Sequence, residues 1–473
     1  MIDQSGSLSR RLARYRTAVH RPTDGMSAEI SVSPLVSRAP LAERLAAAVG
    51  GAVRVSAAGS MVWCESPPRP IPLDRNRLAA LPGGPPPGAP LVCLDTETTG
   101  LATAAGTVAF LVGLGWWNGD DFRQAQLLVP DHADEAAMLA TLAGLIPPDA
   151  WLVTYNGRGF DWPLLVARYR MHGSAAPAHA GHLDLLPVVR RLFRHRMADA
   201  RLRTAEEHLL GIRRHGDVEG WEIPSRYLGF LLGGPAEPLA DVVRHNDQDV
   251  RSLARLLGHL ERGLGDRRTW ARSHPGDLAG LARAFARQGR LTDALECLDV
   301  AVETSFPTGP PADGPGRTPE PDWWSAQARP SFGARTEDRE RAPRPGPAGK
   351  WTRDRIVIER ARLQRRAGDR QAAARSWVSL TDRPGRTGIV AAIELAKFHE
   401  HHLRDLPGAL QVVAAGLGQA ERRRRLGHAE ADLERDLHRR GNRIRQRLAR
   451  SVGPKARVEA VVTDQDSRSA SMV

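Results

Sequence analysis

Four acidic residues in three short motifs are the side chains in this sequence best suited to catalysis. They are Asp95 and Glu97 in LVCLDTETTG, Asp161 in YNGRGFDWPLL and Asp249 in RHNDQDVRSL. The apolar residues 91–94 predict a buried strand, on which Asp95 and Glu97 would point to the same side. Neighbouring carboxylates repel each other unless a cation lies between them, and oxygen ligands suit hard cations such as Mg²⁺ or Mn²⁺. Four converging carboxylates therefore predict a site for two divalent ions, a known arrangement for phosphodiester cleavage.

Each acidic residue also has a purely structural interpretation. Glu97 precedes a polar turn and could simply end a strand. Asp161 lies before Trp162 and Pro163 and could cap a helix that begins there. Asp249 could be a solvated helix residue. For one motif alone the structural interpretation is favoured, whereas the full set in this order favours a metal site. Asp161 could fill both roles.

The order Asp-x-Glu, Asn-x-x-x-x-Asp and His-Asn-x-x-Asp resembles that of the DEDD exonucleases of the RNase H-like superfamily. The stretches 182–193, 216–231 and 245–253 extend the resemblance to the bacterial YprB type, over roughly residues 89–262. The resemblance implies an α/β RNase H-like domain, with a mixed sheet flanked by helices, and 3′→5′ exonuclease activity with two Mg²⁺ or Mn²⁺ ions. It also implies that Asp95 bridges the two ions and that the other three acidic residues complete their ligand shells.

His245 is the candidate general base, because histidine titrates near neutral pH and this one lies one helical turn before Asp249. The better-known DEDD subclasses carry Tyr at this spacing or His one residue earlier, so His245 could instead orient a metal ligand. His182 and Asp184 also match the YprB pattern, and a contact between them in the core is the favoured explanation. The resemblance implies four substrate-binding residues: Thr96, Thr98, Leu101 and Asn156.

Length and composition narrow the class of protein. The 473 residues can form two to four domains, and no run of 18 apolar residues predicts a transmembrane helix. The N-terminus lacks the apolar core of a signal peptide. The three cysteines Cys64, Cys93 and Cys297 contain no C-x-x-C spacing. A cytoplasmic protein without structural disulfides or zinc, and without a membrane partner, is therefore predicted.

The positive charge lies outside the region that carries the motifs. The formal net charge is +13, yet residues 89–262 hold 17 Arg, no Lys and 21 acidic residues, a net charge of −4. Binding of a nucleic-acid backbone would then depend on the metal ions and on the basic flanks. An arginine-rich surface that serves only solubility is the alternative.

The first two of four stretches contain the predicted α/β domain. Residues 1–88 should form a basic amphipathic helix, a short hairpin at 52–55 and 61–63, and a linker whose segments 67–72 and 82–88 are too rich in Pro and Gly for regular structure. Residues 89–262 should begin with a three-stranded meander and place its first strand beside the fourth. The predicted strands are 91–95, 108–117, 124–129 and 151–155, and the predicted helices lie near 134–146, 162–172, 186–195 and 240–261.

The last two stretches are predicted to be helical. Residues 263–420 repeat a helix–turn–helix plan, with turns near Gly368 and Arg404 that are 36 residues apart, close to the tetratricopeptide period of about 34. Their Pro/Gly-rich insert, 303–350, should be disordered. The repeats could bind a protein partner or simply pack against the α/β domain. Residues 421–473 should form a basic helical tail with a disordered end, which could contact nucleic acid or be a solvated face.

Two classes of function fit these observations. The first is a metal-dependent nuclease that acts on DNA or RNA, with a 3′→5′ exonuclease favoured and endonuclease action left open. The second is a non-catalytic scaffold that binds nucleic acid or protein through an RNase H-like fold and helical repeats. Loss of a ligand would favour the scaffold, and the presence of all four carboxylates favours the nuclease.

Overall fold

The centre of the fold is a mixed sheet of seven strands in the order β1-β2-β5-β4-β3-β6-β7. The computed structural model describes residues 40–100, 106–305 and 352–451. β3 pairs antiparallel with β4 and parallel with β6, which confirms the predicted meander and the neighbour of its first strand. The strands are β1 Ala52–Ser56, β2 Gly59–Pro70, β3 Leu91–Thr98, β4 Ala109–Asn118, β5 Asp121–Leu128, β6 Trp151–Thr154 and β7 Gly181–Asp184.

The helices of this domain include the four that the sequence predicts, namely α3, α4, α5 and α8 below. α1, β7 and the short helices between residues 202 and 231 were not predicted. No helix in the described ranges is both long and apolar enough to span a bilayer. The helices are α1 Leu41–Val49, α2 Arg75–Leu78, a 3₁₀ turn His132–Asp134, α3 Glu135–Leu145, α4 Asp161–Met171, α5 Leu185–Phe193, α6 Leu202–Ala205, a π turn Glu206–Leu210, α7 Ile223–Leu231 and α8 Pro238–Gly265.

Both faces of the sheet are covered, and alternation along β3 assigns its residues to two cores. Leu91 and Cys93 lie in the core formed with α5 and the C-terminal half of α8. Val92 and Leu94 lie in the core formed with α1, α3, α4 and α7. Asp95 and Glu97 follow Leu91 and Cys93 at alternate positions of β3, so their side chains point to the same face of the sheet. They therefore lie on the side that α8 covers, just beyond the apolar core.

The predicted hairpin is confirmed, but the prediction of irregular backbone at 67–72 is wrong in part. β2 runs to Pro70 and pairs with β5, with a shift of register between Ser66 and Arg69. β1 covers β2 only as far as Trp63. Beyond Trp63, β2 is an edge strand within the described part of the sheet. Prolines at a bulge of an edge strand do not remove a hydrogen bond between strands. Residues 82–88 lack helix and strand, as predicted.

The C-terminal part is all-helical, which confirms the second half of the predicted fold class. Consecutive helices are joined by short turns that place Gly289, Gly368 and Arg404 at positive φ. The predicted N-terminal helix, the disordered end and most of the 303–350 insert lie outside the described residues. The helices are α9 Arg267–Ser273, α10 Pro275–Arg287, α11 Leu291–Ser305, α12 Arg353–Arg366, α13 Arg370–Thr381, α14 Arg386–Phe398, a π turn His399–Leu403, α15 Leu406–Arg425 and α16 Ala431–Ser451.

The helical tail α16 uses part of its basic face for packing. Leu437 and Ile444 are buried against α14 and α15. The buried Glu400 forms ion pairs with three arginines of the tail: Arg440 at 2.8 Å, Arg443 at 2.8 Å and Arg447 at 2.9 Å. These arginines therefore anchor the tail, a structural role that the sequence analysis did not consider.

The helical region packs directly against the sheet domain through α5 and α10. A Cβ atom at Gly280 of α10 would lie 2.4 Å from the backbone oxygen of Leu192, so only glycine allows this approach. The buried carboxylate of Asp277 accepts a hydrogen bond from Arg196 at 2.6 Å. Leu192 and Phe285 belong to one continuous core that spans both parts of the chain. Packing against the α/β domain, one of the two predicted uses of the repeats, is therefore present.

Replacement of Gly280 by alanine should destabilise the protein, because the new methyl group would overlap backbone atoms of α5. A cost of about 1–3 kcal/mol is typical of such overpacking. Gly229 of α7 is the matched control, since a Cβ atom there would meet open space. Gly229→Ala should gain up to about 1 kcal/mol from helix propensity. Chemical denaturation of both variants measures the difference, and equal stability would contradict the close packing.

Candidate active site

Asp95 is held where α8 crosses the sheet. It pairs with Gly113 of β4, and Gly113 pairs with Gln126 of β5. Above this row, Asn246 of α8 donates a hydrogen bond to Oδ2 of Asp95 at 2.9 Å and accepts one from Gln126 at 2.9 Å. A Cβ atom at Gly113 would lie 2.1 Å from Oδ1 of Asn246. Glycine at this position therefore lets α8 lie directly on the sheet.

The four predicted carboxylates lie close enough to perturb one another. Burial, followed by repulsion from Asp249, Glu97 and Asp161, raises the pKa of Asp95 well above its usual range. Burial and then repulsion from Asp249 and Asp161 do the same to the pKa of Glu97. Burial raises the pKa of Asp161 to about 6, although the hydrogen bond that Thr96 donates to its Oδ1 acts to lower this pKa. The structure thus gathers these four residues from β3, α4 and α8.

Arg214, which the sequence analysis missed, balances part of this negative charge. Its buried guanidinium group donates hydrogen bonds to Glu206 at 2.6 Å, to Asp217 at 2.9 Å and to Oδ1 of Asp249. Burial raises the pKa of Asp249, although the neighbouring Arg214 and His245 side chains oppose the shift. A positively charged side chain of the protein therefore lies beside the carboxylates.

His245 points one ring nitrogen toward the carboxylates and the other away from them. Its Nδ1 lies 2.8 Å from Oδ1 of Asp217, and its Nε2 lies 3.9 Å from Oε1 of Glu97 and 3.7 Å from Oδ2 of Asp249. Burial would raise the pKa of Asp217, but hydrogen bonds from His245 and Arg214 hold it below its usual value. An ionised Asp217 favours the proton on Nδ1, which leaves Nε2 of a neutral ring as an acceptor.

The predicted substrate-binding residues have different surroundings. Thr96 is buried and donates to Asp161 at 2.5 Å, while Thr98 is buried and donates to the backbone oxygen of Gly100 at 2.6 Å. Both hydroxyl groups therefore donate hydrogen bonds within the protein. Their contact with a substrate stays a prediction. Leu101 lies outside the described residues. Asn156 is exposed, at a φ of 73°, between β6 and α4.

The expected contact between His182 and Asp184 is wrong, because each has another partner. His182 shares a hydrogen bond with Oγ1 of Thr154 at 2.8 Å, and burial lowers its pKa to about 4. Asp184 accepts hydrogen bonds from the backbone amides of Asn156 at 2.8 Å and Leu186 at 3.0 Å. Asp184 therefore caps α5 and also fixes the loop that precedes Asp161.

The donor set fits hard divalent cations, although the side chains are not arranged as a finished metal site. Within the described residues, no three His, Cys, Asp or Glu side chains have a geometry ready to hold an ion. One oxygen each of Asp95, Asp161 and Asp249 accepts a hydrogen bond from Asn246, Thr96 and Arg214, respectively. The raised pKa values show that the charged forms lack compensation, which a cation would supply.

Comparison with known proteins identifies part of the chain. Residues 92–261 match the model of a family described as the RNase H superfamily, so this region is an RNase H superfamily domain. The chain is also a distant homologue of a Bacillus subtilis (strain 168) protein named "Uncharacterized protein YprB". The two are 28% identical over 333 residues, which cover 70% of each chain. The predicted superfamily is confirmed, and the narrower exonuclease assignment stays a prediction.

Asp95→Asn should stabilise the metal-free protein at neutral pH. A carboxyl group with a raised pKa in the folded state favours folding when it is protonated, and this contribution is lost as the pH rises through that pKa. In chelator, the stability of the variant relative to the wild type should therefore rise as the pH is increased from the usual carboxyl range to neutral pH, as followed by thermal unfolding. Asp149→Asn, at an exposed position, is the control. A less stable Asp95→Asn variant at neutral pH would rule out uncompensated repulsion.

Proposed function

We propose that this protein is a divalent-metal-dependent nuclease that removes nucleotides from the 3′ end of DNA or RNA. The observation that carries the proposal is the group of four mutually repelling carboxylates on β3, α4 and α8 of an RNase H superfamily domain. Such a cluster destabilises the metal-free protein, so a structural role alone does not account for it. The direction of attack rests on the resemblance to DEDD exonucleases.

The carboxylates of Asp95, Glu97, Asp161 and Asp249 would hold two Mg²⁺ or Mn²⁺ ions. When bound, such ions activate water and stabilise the charge on the leaving oxygen. Asn246 keeps the Asp95 carboxylate in place, since it is itself fixed by Gln126. The chain's own contribution is thus a set of four oxygen-bearing side chains, two on the strand β3, one at the start of α4 and one on α8, which packs against the sheet.

His245 is suited to accept the proton of the attacking water. Its Nε2 faces Glu97 and Asp249, and Asp217 holds the opposite ring nitrogen as a donor. This arrangement supports the general-base role over the alternative role as an orienter of a ligand, because Nε2 is 3.7 Å or more from both carboxylates. Asp217 is a positioning residue, because it would affect the reaction only by holding the side chains of His245 and Arg214.

The direct test is incubation of the full chain with single-stranded DNA and RNA labelled at the 5′ end. In Mg²⁺ or Mn²⁺ we expect a ladder of products shortened from the 3′ end, and in chelator we expect none. Asp95→Asn should lower the rate at least about a hundredfold, because a metal contributes several kcal/mol to the transition state.

Each alternative gives a different pattern in the same gel. Internal cuts on a circular single strand would identify an endonuclease. Binding without cleavage in every metal would favour the scaffold. Wild-type activity in Asp95→Asn would contradict the metal mechanism, and Asp149→Asn, at an exposed position outside the site, should keep the wild-type rate.

A second prediction separates the roles of His245 and Asp217. His245→Ala should lower the single-turnover rate by about 10²–10⁴-fold, the usual worth of a positioned base. Asp217→Asn should cost about 10–100-fold, as is typical when the partner of a functional side chain is lost. If Asp217 acts through His245, the double variant should be no slower than His245→Ala alone.

The matched control is Asp241→Asn, since Asp241 lies on α8, as His245 does, and pairs with the arginines Arg226 and Arg244, as Asp217 pairs with Arg214. Its rate should stay at the wild-type level. Multiplicative losses in the double variant would show that Asp217 acts independently of His245.

A further inference from the structure

A cavity of about 760 Å³ lies where α5 of the sheet domain meets α10 and α12 of the helical region. Guanidinium groups dominate its wall, and Asp199 is the one acidic residue among its lining residues in the described part of the chain. We name this cavity the arginine cleft. Its arginines are Arg190 and Arg191 of α5, Arg194 directly after α5, Arg283 and Arg287 of α10, and Arg355 of α12.

Packing holds these like charges together although they repel. Arg190 and Arg194, at the C-terminal end of α5, are four residues apart, and so are Arg283 and Arg287 on α10, a spacing that brings like charges together on one side of a helix. The close approach of α10 at Gly280 brings the two pairs to one cavity. A fold that concentrates positive charge in this way gains from an anion that occupies the cavity.

Most of this charge has no internal partner. Arg283 is paired with Glu359 at 2.7 Å. Among the residues that the structure describes, no acidic group forms an ion pair with Arg190, Arg191, Arg194 or Arg287, and all four side chains are exposed. Four guanidinium groups are therefore available to a ligand. Their planar forks match phosphate oxygens.

The arginine cleft and the candidate active site lie toward opposite ends of one helix, α5. This helix begins at Asp184, which holds the loop that carries Asn156, and its nine residues span about 13 Å. The hydroxyl group of Tyr155 donates a hydrogen bond at 2.8 Å to the backbone oxygen of Ala200, a residue of the cleft wall. One end of α5 thus adjoins the carboxylates and the other carries the arginines.

We propose that the arginine cleft binds the phosphate backbone of the single strand whose 3′ end lies at the carboxylates. The inference rests on the proposed nuclease function and extends it with a second contact region. Residues 89–262 carry a net charge of −4 and include the four carboxylates, so attraction of the backbone depends on places where arginines are concentrated. The arginines from α5, α10 and α12 supply the attraction that the carboxylate site lacks.

Binding in chelator tests the cleft independently of cleavage. The full chain and the variant R190Q/R194Q/R287Q are titrated with a fluorescent single strand longer than about 16 nucleotides at several salt concentrations. The slope of log affinity against log salt is about −0.7 per phosphate contact for single strands, so the variant's slope should be shallower by about 2. Its affinity at low salt should also fall.

Two controls separate the cleft from charge in general and from the catalytic site. R170Q/R366Q/R375Q removes three exposed arginines outside the cleft and should keep the wild-type slope. In Mn²⁺, the cleft variant should hydrolyse a p-nitrophenyl ester of a nucleoside monophosphate at the wild-type rate, because this substrate does not reach the cleft. With the long strand, its KM should rise while kcat is unchanged.

The outcomes that overturn the proposal are distinct. A wild-type slope in R190Q/R194Q/R287Q overturns the assignment of the cleft alone, and would leave an acidic protein segment as its occupant. An equal loss in the control variant also overturns it, since binding would then follow total charge. A wild type that neither binds the strand nor hydrolyses the small ester overturns the cleft together with the nuclease function.

Discussion

The crossing of α8 over the sheet at Gly113 is the contact on which the candidate site depends. The missing side chain lets Asn246 lie on the row formed by Asp95, Gly113 and Gln126, and the amide of Asn246 then bonds to both polar neighbours. The same helix carries Asp249, so its distance from the sheet fixes how close the acids from β3 and α8 can be. A larger residue at position 113 would therefore move ligands at both ends of the site.

The negative charge gathered in this way is only partly compensated by the protein. Arg214 contacts Asp249, Glu206 and Asp217, and so it compensates the side of the cluster near α8. Burial and repulsion raise the pKa values of Asp95 and Glu97, although Arg214 opposes the shift of Glu97. The negative charge that remains uncompensated would attract a cation to the carboxylates.

The sequence predicted the features that arise from local patterns and missed those that arise from tertiary contacts. Apolar runs identified strands β3 to β6, and alternation on β3 placed Asp95 and Glu97 on one side. The strand β7 was not predicted, because it has only four residues and is followed directly by α5. The role of Arg214 was not predicted, because this residue is 35 positions from Asp249 in the sequence and belongs to no periodic pattern. The prolines of β2 concealed a strand, since only the fold reveals that they lie at an edge.

The helical region completes the sheet domain structurally and electrostatically. The face of α5 opposite its exposed arginines carries Leu192 and Phe193, which are buried in a core shared with α9 and α10, including Trp270 and Phe285. Without these helices the apolar face of α5 would be exposed, and the arginine cleft would lose its second wall. The helix α10 thus contributes both to the core that stabilises the domain and to the positive surface of the arginine cleft. For this reason the repeats belong to the proposed catalytic unit, and a partner that bound to α10 or α12 would change strand binding at the carboxylates.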